Sequence, residues 1–64
     1  MKVYIERTDK EKTLKFSGKA LALLERLKIN PVTVVVVKNK QVVTEEEHLT
    51  DKDNIEILSV ISGG

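Results

Sequence analysis

The chain has 64 residues, no cysteine, and eleven Lys or Arg against ten Asp or Glu, for a formal net charge of +1. A single domain of this size buries only about 60% of its unfolded surface, which leaves no room for a deep active-site cleft, and interspersed charges with 3% aromatic residues disfavour nucleic-acid binding. No apolar run approaches the roughly 20 residues of a membrane span, Met1-Lys2-Val3-Tyr4 lacks a signal-peptide core, and the absence of cysteine fits a reducing compartment, so we expect a cytoplasmic protein without membrane or nucleic-acid partners, monomeric when free.

The first strand is expected over Lys2 to Arg7, where Val3, Tyr4 and Ile5 form a β-prone run bounded by charges. Asp9-Lys10-Glu11 reads as a polar turn. Thr13-Leu14-Lys15-Phe16 alternates apolar and polar residues, which predicts a second strand with Leu14 and Phe16 on one face. Ser17 is a candidate N-cap for a helix over Gly18 to Lys28. In that helix Ala20, Leu23, Leu24 and Leu27 fall at i, i+3, i+4 and i+7 and form one apolar stripe. Asn30-Pro31 stops it, because the residue before proline is pushed out of the helical region. Thr33 to Val37 is the most β-prone segment, and Gln41 to Val43 pairs back across an Asn39-Lys40 turn. If that turn is type I′, Lys40 takes positive φ at a cost of about 1–2 kcal/mol. Thr44 to Asn54 is expected to be irregular, and Ile55 to Ile61 is the last strand.

One helix covers one face of a sheet, yet the valine run and the last strand are apolar on both faces. We therefore expect a small exposed apolar patch of Val35, Val37, Leu58 and Val60 that binds a partner. The segment after it, Ser62-Gly63-Gly64, is expected to be a flexible tail attached to a domain over residues 1–61. Glycine is about 7% of residues, so two together at a chance terminus is on the order of 0.5%. Such a tail carries a carboxylate and no bulky side chain, and it fits a channel that any Cβ would block.

The strand and helix order β-β-α-β-β-β with a Gly-Gly ending resembles the α+β ubiquitin-like β-grasp fold, with a mixed sheet and one helix packed on one face. More closely, the chain resembles the ThiS/MoaD group of sulfur carriers, and among them the thiamine-type carrier. The most specific segment is Asp51-Lys52-Asp53-Asn54-Ile55-Glu56-Ile57, similar to the family's Asp-Gly-Asp-x-Val-Glu-Ile turn and strand. Val60-Ile61-Ser62-Gly63-Gly64 is close to the family ending, and Val37 to Val43 resembles its Asn-Gly hairpin. Lys40 and Lys52 stand where glycine is common in those two turns.

The resemblance implies a carrier that is not itself an enzyme and binds no cofactor or metal. A ubiquitin-activating-type adenylyltransferase uses ATP to adenylate Gly64. A persulfide donor or sulfurtransferase then leaves a thiocarboxylate there, and a sulfur-accepting synthase of thiamine, molybdopterin or tRNA thiolation receives the sulfur. Attack by a lysine amine instead would make the protein a ubiquitin-like modifier joined through an isopeptide bond. A third reading is a non-conjugating β-grasp interaction module. Elsewhere, His48 among Glu45, Glu46, Glu47 and Asp51 reads as a solvated loop rather than a metal site, and Ser17 and Thr13 have no accompanying base.

Overall fold

The computed structural model describes residues 1–60. Ile61, the expected end of the last strand, and the tail Ser62-Gly63-Gly64 lie outside the described residues.

Strand β1 (Lys2–Ile5) buries Val3 and Ile5 and leaves Lys2 exposed, as its alternation dictates. The chain then reverses through a 3₁₀ turn over Glu6–Thr8 and Asp9 at φ 51°, a left-handed position that a short polar side chain tolerates. Strand β2 (Lys10–Thr13) follows, antiparallel to β1, with Thr13 opposite Lys2 and Lys10 opposite Ile5. This corrects the expected strand over Thr13 to Phe16 and the expected turn at Asp9-Lys10-Glu11. The reversal comes three residues earlier, so the pairing is completed by a wholly exposed, charged strand. Lysines on such an edge discourage pairing with other chains. Leu14 and Phe16 still pack against the core, but from a loop, and Leu14 N donates to Met1 O at 3.0 Å.

Helix α1 (Ala20–Arg26) is shorter than expected, because Gly18–Lys19 forms strand β3. Ser17 does not cap it. Lys19 holds the N-cap position without a side-chain bond, and the first amides are satisfied from a distant loop: Ala20 N donates to Glu47 O at 2.9 Å and Leu21 N to Glu45 O at 2.8 Å. The helix ends on backbone geometry before Asn30-Pro31 is reached. Lys28 takes φ 60°, Lys28 N donates to Glu25 O at 3.0 Å, and Ile29 N donates to Leu24 O at 2.9 Å, which closes a Schellman motif. Asn30-Pro31 instead opens a 3₁₀ turn over Pro31–Thr33, in which Asn30 Oδ1 accepts from Val32 N at 3.0 Å.

Strands β4 (Val34–Lys38) and β5 (Gln41–Val43) form a hairpin whose turn residues Asn39 (φ 49°) and Lys40 (φ 71°) are both left-handed, the type I′ arrangement. The Thr44 to Asn54 segment is less irregular than expected. It holds strand β6 (His48–Leu49), paired antiparallel to β3, and its one large apolar residue, Leu49, is fully buried. Strand β7 (Asn54–Ser59) completes a five-stranded sheet in the order β2-β1-β7-β4-β5. β7 runs parallel to β1 and antiparallel to β4. This is the α+β ubiquitin-like β-grasp. Ala20, Leu23 and Leu24 of the helix pack on Val3, Ile5, Val36, Ile55 and Ile57 of the sheet, and Leu49 closes one end.

Two aspartates join the periphery to this core. Asp53 is buried, and its Oδ2 accepts from Thr50 N at 2.7 Å while its Oδ1 accepts from Asn39 Nδ2 at 3.1 Å. Lys38 Nζ lies 4.0 Å from Asp53 Oδ2. Asp51 Oδ1 accepts from Phe16 N at 3.1 Å and sits 3.7 Å from the Met1 ammonium. The Asp-Lys-Asp segment therefore ties the N-terminus, the loop after β2 and the β4–β5 hairpin to the start of β7.

Candidate functional site

A central strand delivers its C-terminal end to the middle of the sheet rather than to a fraying edge. β7 lies between β1 and β4, and its last described residues are held from both sides. Ser59 N donates to Glu6 Oε1 at 3.0 Å, and Val60 N donates to Thr33 O at 3.0 Å. Thr33 is itself fixed, since its amide and its hydroxyl both donate to Asn30 O, at 3.1 and 2.8 Å. The two 3₁₀ turns, Glu6–Thr8 and Pro31–Thr33, thus form a collar around the chain just before Ile61.

Beside the collar is the sheet face that the helix does not cover. Val35 and Leu58 lie opposite each other on β4 and β7, out of phase with the core residues Val36 and Ile57, and both are half-buried. Val60 is 53% exposed. Val37 departs from expectation. It shares this face yet is only 7% exposed, because Glu56 and Val42 flank it directly across the neighbouring strands. The apolar surface at the collar is therefore Val35, Leu58 and Val60, while Val37 is part of the packed sheet. Ser62, Gly63 and Gly64, the other residues singled out by sequence, lie outside the described residues.

The same face has a polar side that sequence reading passed over. Tyr4, Glu56 and Val37 form one row across β1, β7 and β4, with Glu11 beyond Tyr4 on β2. Tyr4 OH donates to Asp9 Oδ1 at 2.8 Å, and this bond to a carboxylate pushes the phenol pKa up. The Lys2–Ile5 alternation was the available signal, since it puts Lys2 and Tyr4 on the face opposite Val3 and Ile5. His48 is exposed, and among the described residues no group of three or more His, Cys, Asp or Glu is placed to hold a metal ion.

The sequence matches one known family model, described as the ThiS family, over residues 3–64. The chain belongs to the ThiS family. It is also similar to a Thermus thermophilus protein named Sulfur carrier protein TtuB, with 40% identity over 55 residues that cover 86% of this chain and 85% of that protein. As a ThiS-family member the chain departs from the common glycines at Lys40 and Lys52, and the structure separates the two. Lys40 adopts the left-handed geometry that favours glycine, whereas Lys52 does not.

Proposed function

We propose that the protein is a sulfur carrier whose reactive group is the Gly64 carboxylate and whose folded domain supplies docking rather than catalysis. The observation that carries this reading is the family match itself, which runs through the Gly63-Gly64 ending. The name of the Thermus thermophilus relative supports it, as does the collar that holds Ser59 and Val60. Four residues follow Val60, and a segment of that length spans at most about 14 Å at 3.3 to 3.6 Å each. That length carries the carboxylate into a partner's site while the domain stays outside.

A carboxylate is a poor electrophile, because its charge repels nucleophiles and oxide is a bad leaving group. In the proposed sequence a Gly64 oxygen attacks the α-phosphorus of ATP in an adenylyltransferase of the ubiquitin-activating type, and pyrophosphate leaves. The terminal sulfur of an enzyme persulfide then attacks the acyl carbon and displaces AMP. A second thiol cleaves the resulting acyl disulfide at its S–S bond, leaving the thiocarboxylate on Gly64 and a disulfide in the donor. A synthase that accepts the sulfur consumes it and regenerates the carboxylate. Which acceptor is served is set by that synthase.

Intact-mass analysis of the protein isolated from its native cell tests this reading. The expected species carries one sulfur in place of one oxygen at Gly64. Branched Gly-Gly remnants on lysines of other proteins, with no thiocarboxylate, would assign the protein to the modifier class instead. Incubation with ATP and the cognate adenylyltransferase should load full-length protein but not a chain lacking Gly64 or carrying Gly63→Trp. Normal adenylation of the Gly63→Trp chain would refute the narrow-channel argument.

A further inference from the structure

A second surface lies on the helix side of the sheet, beside the exposed edge strand β2. Seven helical residues span only about 10 Å, and α1 ends at Arg26. The result is a groove between the hairpin and the segment after the helix. Its floor is aliphatic, formed by Ile5, Ile57, Leu27, Ile29 and Val34. Its rim is cationic: Arg7, Lys10 and Lys12 stand on one wall and Lys28 on the other. The placement follows from register. Lys10 pairs with Ile5 and Lys12 with Val3, so these two lysines share the core-facing side of β2, while Glu11 and Thr13 point the other way. No acidic side chain lines the groove, and none of the four cations enters an ion pair among the described residues. Two neighbouring carboxylates are engaged elsewhere, Glu6 with Ser59 N and Asp9 with Tyr4 OH.

We propose that this groove docks an acidic protein segment that carries an aliphatic anchor side chain. Four cations around an apolar trough are complementary to carboxylates flanking a leucine or isoleucine, and their shared sign speeds encounter with such a segment. A nucleic acid fits less well, since no aromatic side chain lines the groove to stack a base. The groove borders the collar: Arg7 and Thr8 follow Glu6, and Asn30 and Val34 bracket Thr33. It lies on the opposite side of β7 from Val35 and Leu58, so an acidic segment seated here leaves that apolar strip free for a second contact. The proposal does not depend on the chemistry at Gly64.

The test titrates isotope-labelled full-length protein with a capped hexapeptide, Glu-Asp-Leu-Leu-Glu-Asp, and follows backbone amide resonances. Saturable shifts confined to Arg7–Lys12, Leu27–Asn30 and Val34 are expected. Replacing both peptide leucines with serine should weaken binding about tenfold or more, and Lys10→Glu with Lys12→Glu should do the same through like-charge repulsion. Arg7→Gln with Lys28→Gln tests both walls without relying on the integrity of β2, and should also weaken binding. Lys40→Glu, on the hairpin outside the groove, should leave affinity unchanged. Equal binding of the serine peptide, tighter binding of an oligouridylate at the same amides, shifts spread to Lys40 and Lys52, or no saturation at millimolar peptide would each overturn the proposal.

Discussion

Glu6 Oε1 accepts a hydrogen bond from Ser59 N at 3.0 Å, across 53 positions of sequence. Parallel pairing of β1 with β7 ends at Ile5 opposite Ile57, because the 3₁₀ turn then carries the β1 main chain away. The Ser59 amide would otherwise face a missing strand, and the Glu6 carboxylate takes the place of the absent carbonyl. Glu6→Ala should therefore speed hydrogen exchange at Ser59 more than at Ile57, and should cost about 0.5–1.5 kcal/mol in urea unfolding. Glu6→Gln keeps an acceptor and should recover most of the protection. An unchanged Ser59 exchange rate in Glu6→Ala would remove Glu6 from the collar.

That substitution of side chain for strand also shows where sequence reading stops. The helix stripe Ala20, Leu23, Leu24, Leu27, the β4–β5 hairpin and the order of the main strands were legible, because periodicity and turn chemistry act over a few residues. Three features were not. The early β1–β2 reversal depends on Asp9 entering the left-handed region, which no local apolar pattern announces. The helix start depends on the carbonyls of Glu45 and Glu47, more than twenty positions away, so Ser17 looked like a cap that the fold never needed. Val37 reads as exposed because one helix covers one face of a sheet, whereas its neighbours across the sheet are enough to bury it. The Gly63-Gly64 ending is legible in the sequence as a motif, and the two holds that precede it, from Glu6 and Thr33, are visible only in the folded chain.

The two lysines at common glycine positions should respond in opposite ways to replacement. Lys40 sits at φ 71° in a type I′ turn, where a Cβ is strained. Lys40→Gly should stabilise the protein by about 0.5–1 kcal/mol after the entropy of glycine in the unfolded chain is subtracted. Lys52 has no positive φ, so Lys52→Gly gains no relief and should destabilise by a few tenths to about 1 kcal/mol. Thermal denaturation of the two variants side by side checks this. The same direction of shift in both would contradict the turn assignment.

Asp53 links stability to pH. Its carboxyl is held below the ordinary value of 3.8, first by the Thr50 amide, with help from the Asn39 side chain and the Lys38 charge, against an opposing push from burial. A depressed folded-state value means that the native protein binds this proton less readily than the unfolded chain. The stabilisation is therefore complete above the unfolded value and is lost as pH falls through the folded one. Asp53→Asn should lower stability by about 1 kcal/mol at neutral pH, and the difference from wild type should shrink as the pH falls below about 4. Urea midpoints measured from pH 7 down to pH 2.5 give the comparison. Parallel curves for the two proteins would show that Asp53 carries no linkage.

The apolar surface beside the collar separates docking from folding through two of its residues. Val60 is 53% exposed and follows the last strand, so Val60→Asp should leave the unfolding midpoint nearly unchanged, within about 0.5 kcal/mol. Leu58 is half-buried against Val35, so Leu58→Asp should lose about 1–3 kcal/mol as a charge is placed on a partly dry face. If this surface seats the adenylyltransferase, both variants should weaken that complex, and Val60→Asp should do so without a fold defect to blame. Affinity by calorimetry, measured beside the denaturation midpoints, reads the two effects separately. Full affinity in Val60→Asp would move the contact away from the collar and onto the polar row of Tyr4 and Glu56, where Tyr4→Phe and Glu56→Lys are the next substitutions to measure.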